Sequence, residues 1–531
     1  MPGNERSEVA IDVGPGTEPA PPRPRVDAPF CLLVIGDLGG AAGRTALASR
    51  QPIAFDRDDV DATIARIRPV IELASPAAEP TRLGFRSVDD FHPERLFVDV
   101  PVFASLRRLR VRLADPRTFD AAARELAGGE AAASAGAQAP PSASDLAASP
   151  DSQDPPPAAN LLDRMLAETE PPPSGRSTVQ GAAAGHAASG SAGRAANASS
   201  TDDLTAFIRE IVRPHLVASP DPRQAEMVAA VDDAITTQMR ALLRLPAFRA
   251  LESAWRSIER LARRCETGTT LRAFLLDVSD AELDQALDDA TGALATELQR
   301  VLVESAAHLP DGGRWSALVV LRAFGDSEAD DARLGALAAI GRSLGAPILA
   351  DARPALAGLD RWAGIPDPHE WKPRESPSLE ALRGSSDAAW LCLAAPRVLL
   401  RAPYGEDGEP VDAFHFEETA DSSDAGAFVW GSAAATCGLL LAQNFTLRGW
   451  SMRPGEVSEL GGLPLHLQRQ DGETTVLPCA ETVMTERAAE RLMALGITPI
   501  ATLRDSDAVR VVRFQSFASP PTALPGPWSA A

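Results

Sequence analysis

The sequence contains few aromatic residues. Phe, Trp and Tyr together make up 5% of its 531 residues, and Tyr404 is the single tyrosine. Proteins that hold single-stranded nucleic acids stack the bases on aromatic side chains, and many glycan-binding proteins use aromatic rings against sugars in a similar way. The composition therefore argues against both of these binding functions.

Positive charge is also in short supply. The chain has 51 Lys and Arg residues against 73 Asp and Glu residues, which gives a formal net charge of −22 at pH 7. Nucleic acids and anionic lipids repel such a chain unless it carries a local basic patch. The arginine-rich run at 107–112 is the candidate patch, but Leu106, Leu109 and Leu113 recur around it at helical spacing. This pattern predicts a helix with a solvated arginine face and no nucleic-acid partner.

Metal-ligand spacings are absent from the sequence. The five cysteines are scattered, odd in number and never in C-x-x-C spacing, which predicts buried reduced thiols instead of disulfides or a zinc site. The seven histidines show no H-x-x-x-H or related spacing. His415 lies near two glutamates and His466 follows Pro464 closely, but both are interpreted as ordinary surface or core histidines. We therefore predict no metal site.

Long apolar runs are missing as well. No uninterrupted apolar run approaches the length of about 18 residues that a membrane span needs. The first six residues are polar and lack the apolar stretch of a secretory signal. These observations predict a cytoplasmic protein without direct membrane insertion.

Two motifs that would indicate an enzyme fail on inspection. The glycine-rich stretch 36–45 follows an apolar run, but a phosphate loop needs glycine at Leu38 and lysine at Arg44. Residues 341–345 match G-x-S-x-G, yet a hydrolase needs a strand before that serine and a helix after it, and the predicted order is reversed. Gly345 is better explained as a helix C-cap. We predict no catalytic residue and no cofactor.

Composition divides the chain into five parts. Residues 1–28 are rich in proline, glycine and acidic residues, which predicts a disordered N-terminal tail. The first folded part is expected at 29–127 and the second at 201–517. Between them, 128–200 has the Ala/Gly/Ser/Pro-rich composition of a flexible, disordered linker. A proline-rich C-terminal tail is expected at 518–531.

Strand and helix patterns alternate along the folded parts. Short apolar runs predict strands at 30–35, 83–85, 271–278, 315–321, 347–350, 390–393 and 509–514. Apolar residues at helical spacing predict helices at 59–71, 103–113, 204–212, 227–239, 251–261, 281–305 and 332–344. Alternation at this spacing calls for right-handed crossovers between parallel strands. We predict an α/β fold in which mixed sheets are flanked by helices.

A short apolar-faced helix is predicted inside the linker, at 160–168. Asn160 can act as its N-cap, and Leu162, Met165 and Leu166 fall at positions i, i+3 and i+4. Such a helical peptide in a solvated linker usually docks onto a partner. The alternative, that it packs back on its own domain, stays open at this point.

The first folded part resembles the small subunit of the bacterial type VI secretion sheath. An apolar strand ends in Gly36-Asp37, a D-x-D-D element follows at 56–59, and S-x-D-D-F-x-P stands at 87–93, which is the order found in that family. A looser match to the family's L-x-x-L-L-x-x-R-x-x-L helix ends at Leu113. The motif residues in this part are Asp37, Asp90, Phe91 and Pro93.

The second folded part resembles the large sheath subunit, through longer blocks. L-E-S-A-W-R begins at Leu251, P-R-x-L-L-R-x-P-Y-G begins at Pro396, and F-E-E begins at Phe416. W-G-S-A-A at 430–434 corresponds to the family's W-G-N-A-A, and 462–466 resembles its L-P-x-H turn. The motif residues in this part are Trp255, Arg397, Arg401, Pro403, Tyr404, Gly405, Glu417, Glu418, Trp430, Gly431, Pro464 and His466.

The resemblance implies two sheath-type modules joined in one polypeptide, acting as a structural assembly protein. In that family the subunits form a hollow helical tube around an inner tube, and strands exchanged between neighbours hold the lattice. The implied partners are other sheath subunits, the inner-tube protein, the baseplate and an AAA+ ATPase that disassembles the sheath. That ATPase grips an N-terminal helix of the large subunit, which Leu161, Leu162, Met165 and Leu166 resemble.

Two alternatives stay open beside a sheath-building role. The family's large subunit continues beyond the region that resembles Gln515-Ser516, into segments that contribute lattice-forming strands. One alternative is therefore an accessory protein that seeds, caps or regulates a sheath without polymerising. The other, more remote, is an α/β enzyme with an unrecognised pocket.

Overall fold

The computed structural model describes most of the two folded parts. The described residues are 24–25, 27–73, 81–126, 222–288, 293–309, 313–406, 408–419, 425–470 and 473–530. The predicted linker and the predicted helices at 160–168 and 204–212 lie outside these ranges. Within them, no helix is both long and apolar enough to cross a membrane.

The described residues form an alternating series of strands and helices. The strands are β1 (Phe30–Gly36), β2 (Ile53–Phe55), β3 (Val70–Leu73), β4 (Thr81–Gly84), β5 (Leu271–Asp277), β6 (Ala317–Phe324), β7 (Ile348–Ala352), β8 (Leu391–Ala395), β9 (Val398–Arg401), β10 (Val429–Gly431), β11 (Glu459–Leu460), β12 (Leu467–Gln470), β13 (Glu473–Val476), β14 (Ile497–Thr502) and β15 (Val509–Val511). The helices are α1 (Val60–Ile67), α2 (Pro93–Asp99), α3 (Pro101–Ala114), α4 (Pro222–Leu243), α5 (Pro246–Arg264), α6 (Asp280–Asp288), α7 (Ala293–Ala306), α8 (Glu328–Leu344), α9 (Pro377–Gly384), α10 (Ala433–Arg448) and α11 (Glu486–Ala494). Residues 119–126 are also helical.

Nine strands build one mixed sheet, in the order β11-β15-β14-β8-β7-β6-β1-β5-β2. The six consecutive strands from β14 to β5 in this order are parallel to one another. At the edges, β15 is antiparallel to β14, β11 is antiparallel to β15, and β2 is antiparallel to β5. Helices connect the parallel strands, as this arrangement requires. The predicted α/β class with a mixed sheet and flanking helices is confirmed.

The first and second folded parts share this sheet. β1 lies between β5 and β6, with Val34 opposite Leu275 on one side and Val319 on the other. All seven residues of β1 are buried. A strand that is covered on both faces reads as a continuous apolar run, which explains why residues 30–35 show no polar alternation.

The sheet separates two hydrophobic cores. Alternate side chains of β1 enter opposite cores, with Leu32 and Val34 on one face and Leu33 and Ile35 on the other. Helices α5 and α10 cover the first face, while α6, α7 and α8 cover the second. The amphipathic stripe predicted around Trp255 is thus the face that α5 presents to the sheet.

The structure differs from the predicted elements at two helices, and the strand predicted at 509–514 ends at Val511. The helix predicted at 59–71 ends at Ile67, because Arg68 adopts a left-handed conformation (φ 55°) and the apolar residues after it form β3. The single helix predicted at 281–305 is two helices, α6 and α7. The sequence between them includes Thr291 and Gly292, which are weak helix formers.

Two other predictions are confirmed. All five cysteines are free and buried. Gly345 ends α8 in a left-handed conformation (φ 64°), and its N–H reaches the carbonyls of Gly341 and Arg342. The serine of the G-x-S-x-G pattern therefore lies at the end of a helix, and no strand precedes it.

Candidate functional site

Motif blocks that are far apart in the sequence meet around Arg401, at the end of β9. Its Nε lies 2.7 Å from Glu252 Oε1 on α5, and its Nη1 lies 2.6 Å from Glu418 Oε2. Both carboxylates are 0% exposed and Arg401 is 5% exposed. One guanidinium therefore joins the L-E-S-A-W-R block to the F-E-E block inside the protein.

Tyr404 and Arg256 complete this buried cluster. The guanidinium of Arg401 lies over the ring of Tyr404, 4.0 Å from its centre, which is the geometry of a cation–π contact. Arg256 donates to the hydroxyl of Tyr404 at 2.9 Å and to Glu252 at 2.8 Å. The backbone N–H of Tyr404 donates to Glu418 at 2.9 Å. We call Glu252, Arg256, Arg401, Tyr404 and Glu418 the Arg401 cluster.

Charges in the Arg401 cluster are stabilised by one another. Burial acts to lower the pKa of the Arg401 guanidinium, but Glu252 and the other acidic groups around it raise that pKa well above its ordinary value. Burial acts to raise the pKa of the Glu252 carboxyl, but Arg401 and Arg256 hold it below its usual value. Burial raises the pKa of the Tyr404 hydroxyl. These directions fix the protonation states, so the cluster is suited to hold chain segments together and not to transfer protons.

The P-Y-G turn after β9 depends on glycine. Gly405 has a φ of 147°, a conformation that side-chain-bearing residues rarely adopt. A β-carbon at this position would collide with the carboxylate of Glu417. That carboxylate accepts the N–H of Glu406 at 2.9 Å, and the Glu417 carbonyl accepts from Arg240 on α4 at 2.7 Å. Pro403, Gly405 and Glu417 therefore shape the loop that delivers Glu418.

The S-x-D-D-F-x-P element of the first part contacts the same region. Asp90 accepts the N–H of Ser87 in a capping box, and Pro93 begins α2. The ring of Phe91 packs edge-on against Phe248 of α5, with centroids 5.6 Å apart. The ring of His92 packs edge-on against Tyr404 at 4.9 Å. The structure thus brings motif residues of both parts together.

Asp37 belongs to a second inter-part contact, at the carboxyl end of β1. Arg44, which occupies the lysine position of a phosphate loop, pairs with Asp37 and with Asp277 at the end of β5. Asp277 also accepts the N–H groups of Leu38 and Gly39, at 2.8 and 3.0 Å. The cation that a nucleotide would need is therefore engaged in holding two strand ends together.

The remaining motif residues lie apart from the Arg401 cluster. Trp430 and Gly431 lie in β10, where a β-carbon on Gly431 would meet the side chain of Leu400. Arg397 pairs with Glu481, with Nε 2.9 Å from Oε2. Pro464 and His466 precede β12, and His466 is buried with its ring edge-on to Phe428 at 5.0 Å. His415, in contrast, is exposed.

One buried carboxyl was missed by sequence reasoning. Asp351, at the end of β7, accepts from Ser432 Oγ at 3.0 Å and from the N–H of Ala434 at 2.7 Å. Burial raises the pKa of its carboxyl to about 7, although these two hydrogen bonds act to lower that pKa. An acidic residue at the end of an apolar strand, followed far downstream by W-G-S-A-A, gives no local sign that the two segments touch.

Glu252 and Arg256 belong to the L-E-S-A-W-R block but were not predicted as site residues. The sign that could have identified Glu252 is a charged residue inside the apolar stripe of α5, directly beside Leu251. A charge at such a position is buried and needs a partner of opposite sign. The four proposed ATPase-contact residues, Leu161, Leu162, Met165 and Leu166, lie outside the described part of the chain.

Comparisons with known families cover both parts. Residues 225–518 match the family model described as EvpB/VC_A0108, tail sheath N-terminal domain. Residues 6–122 match the model described as Type VI secretion system, VipA, VC_A0107 or Hcp2. The first match alone spans more than half of the chain, and the second precedes it in the same polypeptide.

A curated relative is similar to the second part. The type VI secretion system sheath protein TssC1 of Pseudomonas aeruginosa is 28% identical over 304 residues. The aligned region is 55% of this chain and 61% of the relative. The chain thus covers less than two thirds of that protein's length. Taken with the two family models, the sequence belongs to the tail sheath family of type VI secretion systems, as a small-subunit-type module fused to the N-terminal domain of a large-subunit-type module.

Proposed function

We propose that this chain is a structural subunit of a type VI secretion contractile sheath, working in the cytoplasm without a catalytic step. The observation that carries the proposal is the shared nine-stranded sheet, in which β1 of the small-subunit-type module lies between β5 and β6 of the large-subunit-type module. The two modules thereby form one body. The motif residues around Arg401 serve to hold this body together, since their charges are paired inside it.

Assembly is proposed to occur by strand exchange between subunits around the inner tube. At the ends of the described sheet, β2 and β11 each pair on one side only. Backbone groups on an open edge can accept a strand from another chain, which adds hydrogen bonds without requiring a special side-chain sequence. These edges support the proposal that other sheath subunits are the main partners.

The further proposed partners are the inner-tube protein, the baseplate and the AAA+ disassembly ATPase. The ATPase is assigned to the apolar face of the predicted helix at 160–168, in the segment that tethers the two modules. A peptide in a linker of this kind is accessible to a partner that binds beside the folded modules. No nucleic acid and no membrane insertion is proposed, because the chain is strongly acidic.

Negative-stain electron microscopy tests this function. The purified chain is imaged alone, and after mixing with separately expressed full-length sheath subunits. Tubules in the first sample would support a sheath-building subunit. Incorporation into tubules only with the added subunits, or capped and shortened tubules, would support the accessory role instead. Failure to associate with sheath subunits in either sample would overturn the proposal.

A further inference from the structure

Strand β1 fills the space between β5 and β6, which we call the β5–β6 slot, although it is distant from both in the sequence. We call the described residues up to 126 the first module and those from 222 onwards the second module. Besides the ladder itself, Cys31 donates its N–H to Ser316 Oγ at 2.9 Å, and Ser316 returns its N–H to the Cys31 carbonyl at 2.8 Å. Within the described residues 27–126, the strands that pair with each other are β3 and β4, while β1 and β2 both pair with strands of the second module. The first module therefore completes its structure only on a second module.

Residues 127–221, which include the predicted linker, connect the first module to the second, and we call them the tether. The two residues at which the folded modules meet the tether lie near each other. Gln224, close to the start of α4, donates to the carbonyls of Leu113 and Ala114 at the end of α3, at 2.7 and 2.9 Å. Adding the chain from Ala114 to Leu126, which includes the helical turns at 119–126, separates the tether ends by at most about 40 Å. About a dozen extended residues would span that gap.

The tether is much longer than this gap requires. It comprises the 95 residues from 127 to 221. Ninety-five residues can bridge at most about 310 Å. This segment is therefore long enough for the first module to reach the slot of an adjacent copy as well as its own.

We propose that the β5–β6 slot accepts the first module of a second copy of this chain, so that neighbouring copies exchange their first modules. The contacts in the exchanged and unexchanged forms are the same, and the choice depends on concentration. A flexible segment of 95 residues would give a chain's own first module an effective concentration on the order of 1 mM. Copies crowded together exceed that value, and exchange then links them through their tethers. The proposal does not depend on sheath formation.

Engineered cysteines at the contact between the first and second modules, which we call the seam, report which copy supplies the first module. Arg110 on α3 contacts Asp232 on α4, with Nη2 3.1 Å from Oδ2. One copy carries Arg110→Cys and one affinity tag, and the other carries Asp232→Cys and a different tag. The five native cysteines are buried and do not compete. The two copies are mixed in urea, refolded over about two decades of concentration up to about 1 mM, and then treated with a short bismaleimide. A cross-linker with a spacer is used because the arginine side chain spans a longer distance than a disulfide can.

A cross-linked dimer with both tags is the expected product. Its fraction should reach about a quarter near 1 mM and approach half at higher concentration, because random pairing joins unlike copies in only about half of the exchanges. A single chain with both substitutions is the control, because its cysteines meet whenever a first module docks on its own second module. A second pair, Arg50→Cys with Glu282→Cys, repeats the measurement at another contact of the seam. Deleting residues 141–200 leaves a 35-residue tether, which raises the effective concentration about fourfold and should move the midpoint up by the same factor.

Two results would overturn the exchange. The first is efficient cross-linking of the doubly substituted chain together with no two-tag dimer at any concentration, at either cysteine pair. The second is a dimer fraction that ignores the tether deletion, because exchange competes directly with intramolecular docking. Failure of both control chains to cross-link would contradict the described seam itself, and with it the proposal.

Discussion

Arg401 and Glu252 are separated by 149 positions in the sequence, yet their Nε and Oε1 atoms lie 2.7 Å apart inside the protein. Glu252 comes from the face of α5 that covers the sheet, and Arg401 from the end of β9. The same guanidinium also holds Glu418. A buried carboxylate without a cation is far less stable than one in water, and Arg401 is the one side chain that contacts both of these carboxylates within hydrogen-bond distance, with Arg256 as a second partner of Glu252.

Replacing Arg401 with alanine should destabilise the protein by about 3–5 kcal/mol, because buried Glu418 loses its nearest cation and buried Glu252 keeps only Arg256. Arg401→Lys should recover only part of the loss, since an ammonium cannot bind both carboxylates with the geometry of a guanidinium. Urea unfolding measures the free energy of unfolding of both variants. The matched control is Arg82→Ala, which removes an exposed pair with Glu72 and should cost at most about 1 kcal/mol. Equal stability of R401A and R82A would refute the role given to the cluster.

Local patterns predicted much of the fold but not its strand order. The apolar run from Phe30 to Ile35 identified β1, yet nothing in it indicates that its neighbours start at Leu271 and Ala317. Strand order is decided by the global packing of helices on both faces, which a short window does not contain. The error at Val70 and Ile71 has a related cause, because a short apolar run after a helix fits either a further helical turn or a strand.

The sequence predicted several residues of the candidate site but not the contacts between them. Arg401, Tyr404 and Glu418 were identified from the resemblance, and the structure shows why these residue types occur together, as cation, ring and anion in one buried cluster. Asp351 and its contact with Ser432 could not be predicted. They join the end of a strand to the start of a distant helix, and each looks like an ordinary polar residue in its own segment.

Asp351→Asn should stabilise the protein at pH 8. The pKa of this buried carboxyl is about 7 in the folded protein and near 3.8 when unfolded. Between these values the folded state binds more protons, so the free energy of unfolding falls as pH rises, by on the order of 4 kcal/mol at most. Asparagine cannot ionise, and its Oδ1 can still accept from Ser432 and Ala434.

Urea unfolding of wild type and D351N at several pH values between 5 and 8 checks this prediction. The variant should exceed wild type most at pH 8, and the difference should shrink towards pH 5 as wild-type Asp351 takes up a proton. Ser432→Ala removes one hydrogen bond without removing the carboxyl, and serves as a control that keeps the pH dependence. A variant that is less stable than wild type at pH 8 would show that the negative charge itself is favourable there.

Gly405→Ala should cost about 1–3 kcal/mol, mainly because of the φ of 147°, since the Glu417 carboxylate lies at the end of a flexible side chain and can move away at the loss of its hydrogen bond from Glu406. Two glycines separate these effects. Gly364 has a positive φ of 64° and open space around it, so Gly364→Ala should cost about 1 kcal/mol from backbone strain alone. Gly268 has neither feature, so Gly268→Ala should change stability little. The melting temperature should be highest for G268A and lowest for G405A, and a G405A variant as stable as G268A would show that this turn does not depend on glycine.

Replacing both Leu162 and Leu166 with serine should abolish binding to the AAA+ disassembly ATPase in a pull-down, since the apolar face of the predicted helix would be lost. Unfolding in urea should be unchanged, because these residues belong to the tether between the modules. Arg164→Ser, between the two leucines but outside the apolar stripe, is the control and should bind as wild type. Undiminished capture of the double variant would remove the ATPase assignment from this helix.

Trp528→Ala should destabilise the protein by about 3–5 kcal/mol, although it falls in the segment predicted from composition as a proline-rich tail. The indole is buried and stacks over Phe30 at the start of β1, with ring centroids 6.4 Å apart. Its loss leaves a cavity at the end of the central strand and uncovers the ring of Phe30. Urea unfolding and binding of a hydrophobic dye measure the two effects. Leu447→Ala, at an exposed position, is the control. If W528A behaved like L447A, the residues after Phe517 would contribute nothing to the seating of β1.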